Sequence, residues 1–380
     1  MKAAFASALL AATVAAFVAW PRDVMSHGSV TTTVLFDREI VRILNDRCVM
    51  CHADASLSFP LLTYEQTWLQ GRSMRSSVLR RHMPPWPAVA GYGEFINDNR
   101  LTLRETQFLV SWVEGLGPRN AGKVFLNVVD PGTRPSEEVR ATAHTGHWQM
   151  GQPDLVRRLS PTRIEAGQGD VVRRQIIDPG LTSEREVRAL EFMPGDRRVV
   201  RAASFSVEGT GQWLASWTPW HGFVSVPDGA AYRLSRGSRI VADVHYRAAS
   251  DAVVDQGTLG IFFSAKAARP ASDLIVDAGA TRTRDQGSRT LRGRVRLNAG
   301  TNVWALQPEI VVGLSSLEVS ARRPDGGTDV LLALTDPPIA WPTPYLLKTP
   351  RALSRGTEIF VVARFNGSPP PSLRVRLSRY

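Results

Sequence analysis

"NDRCVMCHADAS", residues 45–56, holds the only two cysteines of a 380-residue chain and sets His52 directly behind the second. The spacing Cys48-Val49-Met50-Cys51-His52 is that of a c-type haem attachment site: two thiols bond the porphyrin vinyl groups and the adjacent imidazole reaches the iron. Two other chemistries use cysteine pairs. Structural zinc takes four Cys or His ligands, and the sequence has no second cysteine pair. A thioredoxin-like dithiol opens a helix after a strand, whereas the residues before Cys48 read as a helix of their own. The haem reading commits both cysteines, so no disulfide remains to staple the rest of the chain.

Around the motif the periodicity is helical. Phe36, Ile40, Ile43 and Leu44 recur at helix spacing up to Asp46. A second helix is expected from about Glu65 to Arg80. A third begins at Thr102, where Thr102 and Glu105 form a capping box, and stops at Gly117, with Phe108, Leu109, Trp112, Val113 and Leu116 on its apolar face. This order of elements is the one expected of a small all-α cytochrome c domain.

Iron held by His52 needs a sixth ligand or an open position. "RRHMPPWP", residues 80–87, offers His82 and Met83. A thioether is a soft donor that favours ferrous iron and raises the potential, and Pro84 and Pro85 stiffen the segment, so Met83 is the preferred axial ligand. Met50, inside the attachment loop, and Met74, in mid-helix, are poorer candidates. Trp68 and Trp86 are expected near the macrocycle, with ordinary core packing as the plainer alternative.

Haem of this kind is attached outside the cytoplasm. Ala3 to Ala19 is apolar and Ala-rich behind Lys2, and Val14-Ala15-Ala16 offers a small-residue cleavage site, so residues 1–20 read as a signal peptide or N-terminal membrane anchor. The expected location is the periplasm, either free or tethered to the inner membrane. The formal charge of +11 comes almost wholly from arginines spread along the chain, with lysine only at Lys2, Lys123, Lys266 and Lys348. Dispersed Arg is not a nucleic-acid stripe; it suits docking on an acidic or membrane-bound redox partner. Arg72, Arg75, Arg80 and Arg81 lead up to Met83 and could steer such a partner, or simply form a solvated helix face.

Residues 121–143 lose periodicity and collect Pro and Gly, as a linker does. Beyond them come short β-branched and aromatic runs, "RIVADVHY", "TLGIFFSA", "EIFVVARF", divided by turns such as "PDG" and "PDGG". These predict two antiparallel β-sandwich (jelly-roll-like) domains, at 144–267 and 268–380, behind a cytochrome c domain at 30–120.

The landmarks "WQMGQPDLV" (148–156), "EFMPGDRRVVRAASF" (191–205), "WTPWHGFVSVPDGAAYRLSRGSRIVADVHY" (217–246) and "DQGTLGIFF" (255–263) follow one another, then "PDGGTDVLLAL" and "PYLLKTPRALSRGTEIFVVARFNGSPPP" (344–371). With the Met-Pro-Pro-Trp segment, this order resembles bacterial proteins in which a cytochrome c domain precedes a module similar to copper type II, ascorbate-dependent monooxygenases, relatives of peptidylglycine α-hydroxylating monooxygenase. The resemblance implies two mononuclear copper sites of His with one Met. Where family members carry a His-His pair, this sequence reads Arg201-Ala202; His245-Tyr246 keeps one element, and Gln307 to Val311 holds no His. Met193 is the last methionine and His245 the last histidine. His245 is thus the remnant of a metal site. His144, His147 and His221 could join it only in a rebuilt arrangement, and copper is not expected. The expectation is an exported c-type cytochrome carrying single electrons through one covalent haem c, its β part serving docking or ligand binding. A copper monooxygenase fed by its own haem, and a haem-based sensor or binding protein, are the alternatives.

Overall fold

The computed structural model describes residues 32–53, 58–120, 147–247, 250–279 and 289–380. The expected leader at 1–20, the linker at 121–143 and His144 lie outside those residues.

Among the described residues, helix is confined to the N-terminal part. α1 (Phe36–Ile40, in the wide π form) runs into α2 (Val41–Arg47), and α3 (Val49–His52) carries the attachment motif. The apolar spacing read from the sequence is buried: Phe36, Ile40, Ile43 and Leu44, joined by Val41. The expected second helix is two. α4 (Tyr64–Leu69) starts at a capping box of Thr63 and Gln66, and α5 (Gly71–Leu79) follows at an angle after Gln70 leaves helical geometry. α6 (Leu103–Glu114) is capped by Thr102 and Glu105 as read, and buries Leu109 and Trp112. It ends at Gly115, so Leu116 lies past the last turn and is exposed.

The first β unit runs through β1 (Leu155–Arg158), β2 (Thr162–Ile164), β3 (Val171–Ile177), β4 (Arg185–Met193), β5 (Val200–Val207), β6 (Trp213–Trp217), β7 (Phe223–Ser225), β8 (Ala230–Leu234), β9 (Ile240–Tyr246), β10 (Val253–Asp255), β11 (Thr258–Phe263) and β12 (Arg269–Pro270). One sheet has the order β1-β11-β4-β8-β12 with β7 on β4, a second the order β3-β9-β5-β6, and β10 pairs with β2. Both large sheets contribute to one core, including Phe192, Phe205, Trp213, Trp217, Tyr232 and Tyr246. Strict alternation along β9 shows why the sequence folds this way: Ile240, Ala242, Val244 and Tyr246 point inward and the residues between them outward.

The second unit is built differently. β13 (Ser272–Gly279), β14 (Thr290–Arg296), β15 (Thr301–Pro308), β16 (Leu314–Arg322), β17 (Thr328–Thr335), β18 (Tyr345–Leu353), β19 (Glu358–Phe365) and β20 (Ser372–Arg379) form a single antiparallel sheet in the order β17-β16-β19-β14-β13-β20-β15-β18. It curls into a half-barrel around its own core. A bulge between Val303 and Ala305 re-aims Trp304 out of that core and into the first unit, where its ring lies 5.7 Å from that of Trp213.

The edges β17 and β18 are bridged by the segment that follows Met83. Val89 N–H donates to Ala333 O (2.8 Å) and Thr335 N–H to Pro87 O (3.1 Å) at one edge. At the other, Ile96 N–H donates to Leu346 O and Lys348 N–H to Glu94 O, both at 2.8 Å. The Asn97 side chain seals the second edge, donating to Pro344 O (2.7 Å) and accepting from Leu346 N–H (3.1 Å). Trp86, Ala88 and Phe95 sink into the second unit's core, and Trp86 packs edge-on against Tyr345 at 5.3 Å. Gly93 is obligatory in this strap: its φ is +81°, and a Cβ would meet Leu331 O at 2.9 Å. Covering both raw edges removes the template for strand addition that an open sheet presents.

The expected architecture, a small all-α cytochrome c domain followed by two antiparallel β-sandwich (jelly-roll-like) domains, is therefore corrected. Of the described residues 43% lie in strands and 14% in helices, and the helices form a short N-terminal region rather than a distinct all-α domain. The physical reason lies in residues 86–97, which give their apolar side chains to a β core rather than to the helices. The second β unit is one curled sheet, which the sequence cannot distinguish from a sandwich because both alternate with period two.

Candidate functional site

Cys48, Cys51 and His52 line a cavity of about 160 Å³ that opens to solvent. The helical side contributes Cys48, Met50, Cys51, His52, Phe59, Leu61, Met74, Val78 and Leu101, and the segment after α5 contributes Met83, Pro84 and Pro85. The opposite wall comes from β structure: Arg197, Val200, Arg201, Pro219 and Arg247 of the first unit and Trp341 from the β17–β18 connection of the second.

His52 sits at the end of α3, and the chain folds back so that Leu61 N–H donates to His52 O (2.8 Å). The returning loop places Phe59 O 2.9 Å from His52 Nδ1. Such a bond assigns the proton to Nδ1 and leaves the Nε2 lone pair free, as a backbone carbonyl does when it orients an imidazole for a metal. Burial lowers the His52 pKa, which keeps the ring neutral, although the Phe59 carbonyl opposes that shift.

Burial likewise pushes both Cys48 and Cys51 up to about 12, so at neutral pH they are thiols rather than thiolates. Reactive dithiol centres depend on depressed pKa values, and neither sulfur has one. Cys48 follows directly on α2, so the pair does not open a helix after a strand.

Met83 lies on the same cavity as His52 and is 39% exposed. His82 is exposed and does not line the cavity. Met50 and Met74 line it too, and Met74 is buried, so the structure places three thioethers there where the sequence favoured one. Neither tryptophan reaches the cavity. Trp86 anchors in the second β core, and Trp68 is 53% exposed beside Gly117. Of the four arginines before Met83, Arg72, Arg80 and Arg81 are exposed, and Arg75 pairs with Glu114.

His245, expected as the remnant of a metal site, does not line this cavity. His245, on β9, is opposite Ala202 of β5, and its electrostatic surroundings are Asp243, Arg201 and Asp170. Among the described residues no three His, Cys, Asp or Glu side chains come together as a metal-holding group. His147 is exposed, and His221 sits in a bridge with Thr218, its Nε2 buried without a partner.

Sequence reading missed the β wall. Arg197 lies in the turn before β5, Arg201 is the second residue of β5, and Arg247 follows β9; because Val200 pairs with Tyr246, the start of one strand meets the end of the other and the three arginines share one corner. The turn itself is tight: a Cβ on Gly195 would meet the Gln256 backbone at 2.7 Å. In the sequence Arg201 stood out only through the resemblance, as the residue at a position where that family is expected to carry histidine.

A flat apolar macrocycle fits this donor set: two thiols and a tied-back imidazole on one side, a thioether on the proline-stiffened segment, apolar walls between. Among the described residues no helix is long and apolar enough to cross a membrane. No family model and no curated protein sequence matches the chain. Among solved structures, the PBSX exported protein XepA aligns over 60% of this chain and 86% of its own, at 10% identity and a TM-score of 0.19. The glycosylasparaginase PNGase F of Flavobacterium meningosepticum aligns over 58% and 99%, at 9% identity and 0.22. Likeness at this level carries no argument about the chain.

Proposed function

We propose that this protein is an exported c-type cytochrome of the periplasm that carries single electrons, with its β units serving docking or ligand binding rather than copper catalysis. The observation that carries the reading is the meeting of Cys48, Cys51, His52 and Met83 on one cavity, with His52 Nδ1 bonded to Phe59 O. Haem bound there supplies a one-electron ferric–ferrous couple. Cys48 and Cys51 would hold it through thioethers, His52 would present Nε2, and Met83 would offer a soft thioether that favours the ferrous state. Phe59, Leu61, Val78 and Leu101 keep water off the site, and the lowered dielectric also favours the less charged ferrous form. The positive surface suits an acidic or membrane-bound redox partner and gives association rates that fall with salt.

Production in a host competent for cytochrome maturation tests the proposal. The wild type should carry one covalent haem by pyridine haemochrome and mass, and Cys48→Ala with Cys51→Ala should carry none. Met83→Ala should keep the haem but lose the thioether-to-iron absorption band and lower the potential, while Met74→Leu leaves both in place. A colourless wild type, or copper bound stoichiometrically in place of iron, ends the reading.

A further inference from the structure

We propose that Arg197, Arg201 and Arg247 form a carboxylate seat that grips the propionates of the haem and so ties the cofactor to the first β unit. The inference rests on the haem reading above and assigns it residues that no attachment motif contains.

The cavity's charge calls for an anion. No Asp or Glu is among its lining residues, whereas four arginines are. Arg47, on the helical side, is matched by Glu105 at 3.1 Å. The other three share the corner where β5 starts and β9 ends. Arg201 bonds Asp170 through Nη1 at 2.6 Å and stacks over Trp341, but its Nε is buried with no partner. Arg197 gives Nη2 to Pro219 O (3.0 Å) and lies over the Trp217 ring, with no carboxylate partner among the described residues. Arg247 is fixed through its backbone N–H to Val199 O (2.8 Å), and among the described residues its guanidinium has no carboxylate partner. Burial disfavours the charge on Arg197 and Arg201, and Arg247 opposes Arg201 further. Three cations gathered against one exposed Asp170 destabilise the fold unless an anion enters.

The occupant follows from what else lines the cavity. A tetrapyrrole tethered at Cys48 and Cys51 brings two carboxylates with it, and the planar guanidinium fork matches a carboxylate through two parallel hydrogen bonds. A small anion from solution shares that chemistry, and the test separates the two sources.

The matured full-length protein is made as wild type, Arg247→Gln, Arg201→Gln/Arg247→Gln and Arg247→Lys, with exposed Arg158→Gln as a control for total charge. Covalent haem and reduction potential are measured for each. Covalent haem should persist in all, since the thiols hold it. Arg247→Gln should shift the couple toward ferric by about tenfold, ~59 mV for one electron, because a cation near the ring favours the added electron. The double variant should shift it further, Arg247→Lys should restore most of the loss, and Arg158→Gln should leave it unmoved. Excess inorganic phosphate should not move the wild-type potential. Haem-loaded variants with unchanged potential overturn the seat alone, as does a phosphate-induced shift as large as that of Arg247→Gln, which would make a free anion the occupant. Absence of covalent haem from the wild type overturns the haem reading itself.

Discussion

The two walls of the cavity were assembled by different means. The helical wall comes from one stretch, residues 47–101, and most of its chemistry sits in five consecutive positions. The β wall comes from Arg197–Arg201, Pro219, Arg247 and Trp341, brought together only by the pairing of β5 with β9 and by the β17–β18 connection. The first wall holds the two cysteines and the tied-back imidazole, whereas the second carries positive charge. The segment that carries Met83 belongs to neither wholly: it leaves α5 and ends in the core of the second β unit. Local sequence can thus place the cysteines and the imidazole, while the charge that faces them depends on distant chain pairing.

If the β structure positions the ligand segment, Trp86→Ala gives the largest effect. Removing a buried indole flanked by Phe95 and Tyr345 should cost about 3–5 kcal/mol in the second unit, read by thermal unfolding. It should also weaken the Met83 absorption band while leaving covalent haem in place; an unaltered band would show that the helical side alone sets Met83.

A somewhat smaller effect separates the walls by pH. Burial pushes His221, two residues from Pro219, down to about 4. Its folded form stays neutral while the unfolded form protonates near 6.5, so this contribution is complete above about pH 6.5 and is lost as pH falls toward 4. The total is on the order of 3 kcal/mol. His221→Phe should flatten that part of the stability curve of the first β unit, measured by urea unfolding from pH 4 to 7. An unchanged slope would place the acid sensitivity elsewhere.

The smallest effect should come from Arg75→Ala. Arg75 and Glu114 are both exposed, and a surface pair of this kind contributes about 0–1 kcal/mol. A larger loss, or a change in potential, would mean that α5 transmits strain to Met83 and that the helical wall is less self-sufficient than its contiguity suggests.

The legible parts of this molecule were those written in short-range pattern. Thr102 with Glu105 announced α6, and the spacing of Phe36, Ile40, Ile43 and Leu44 announced the helix that precedes Cys48. The Thr63–Gln66 capping box marks where α4 starts, and the signal for the break at Gln70 is Gly71 directly after it, a residue type that weakens a helix interior. Strand positions could be read from alternation, but not whether eight of them make two layers or one curled sheet, since side-chain period is the same in both. Arg247 had no signal at all. Nothing near it in sequence relates it to residues 48–52, and only the β5–β9 register carries it there.

The strap at 87–97 also fixes an order of events. Those residues leave the ribosome well ahead of strands 328–335 and 345–353, on which they close. Until the C-terminal third arrives, the strap's backbone groups and the indole of Trp86 have nothing to settle on. Contacts between such distant parts of a chain form slowly. The half-barrel cannot shut, and the Met83 segment cannot reach its final station, until the far end of the polypeptide has joined them.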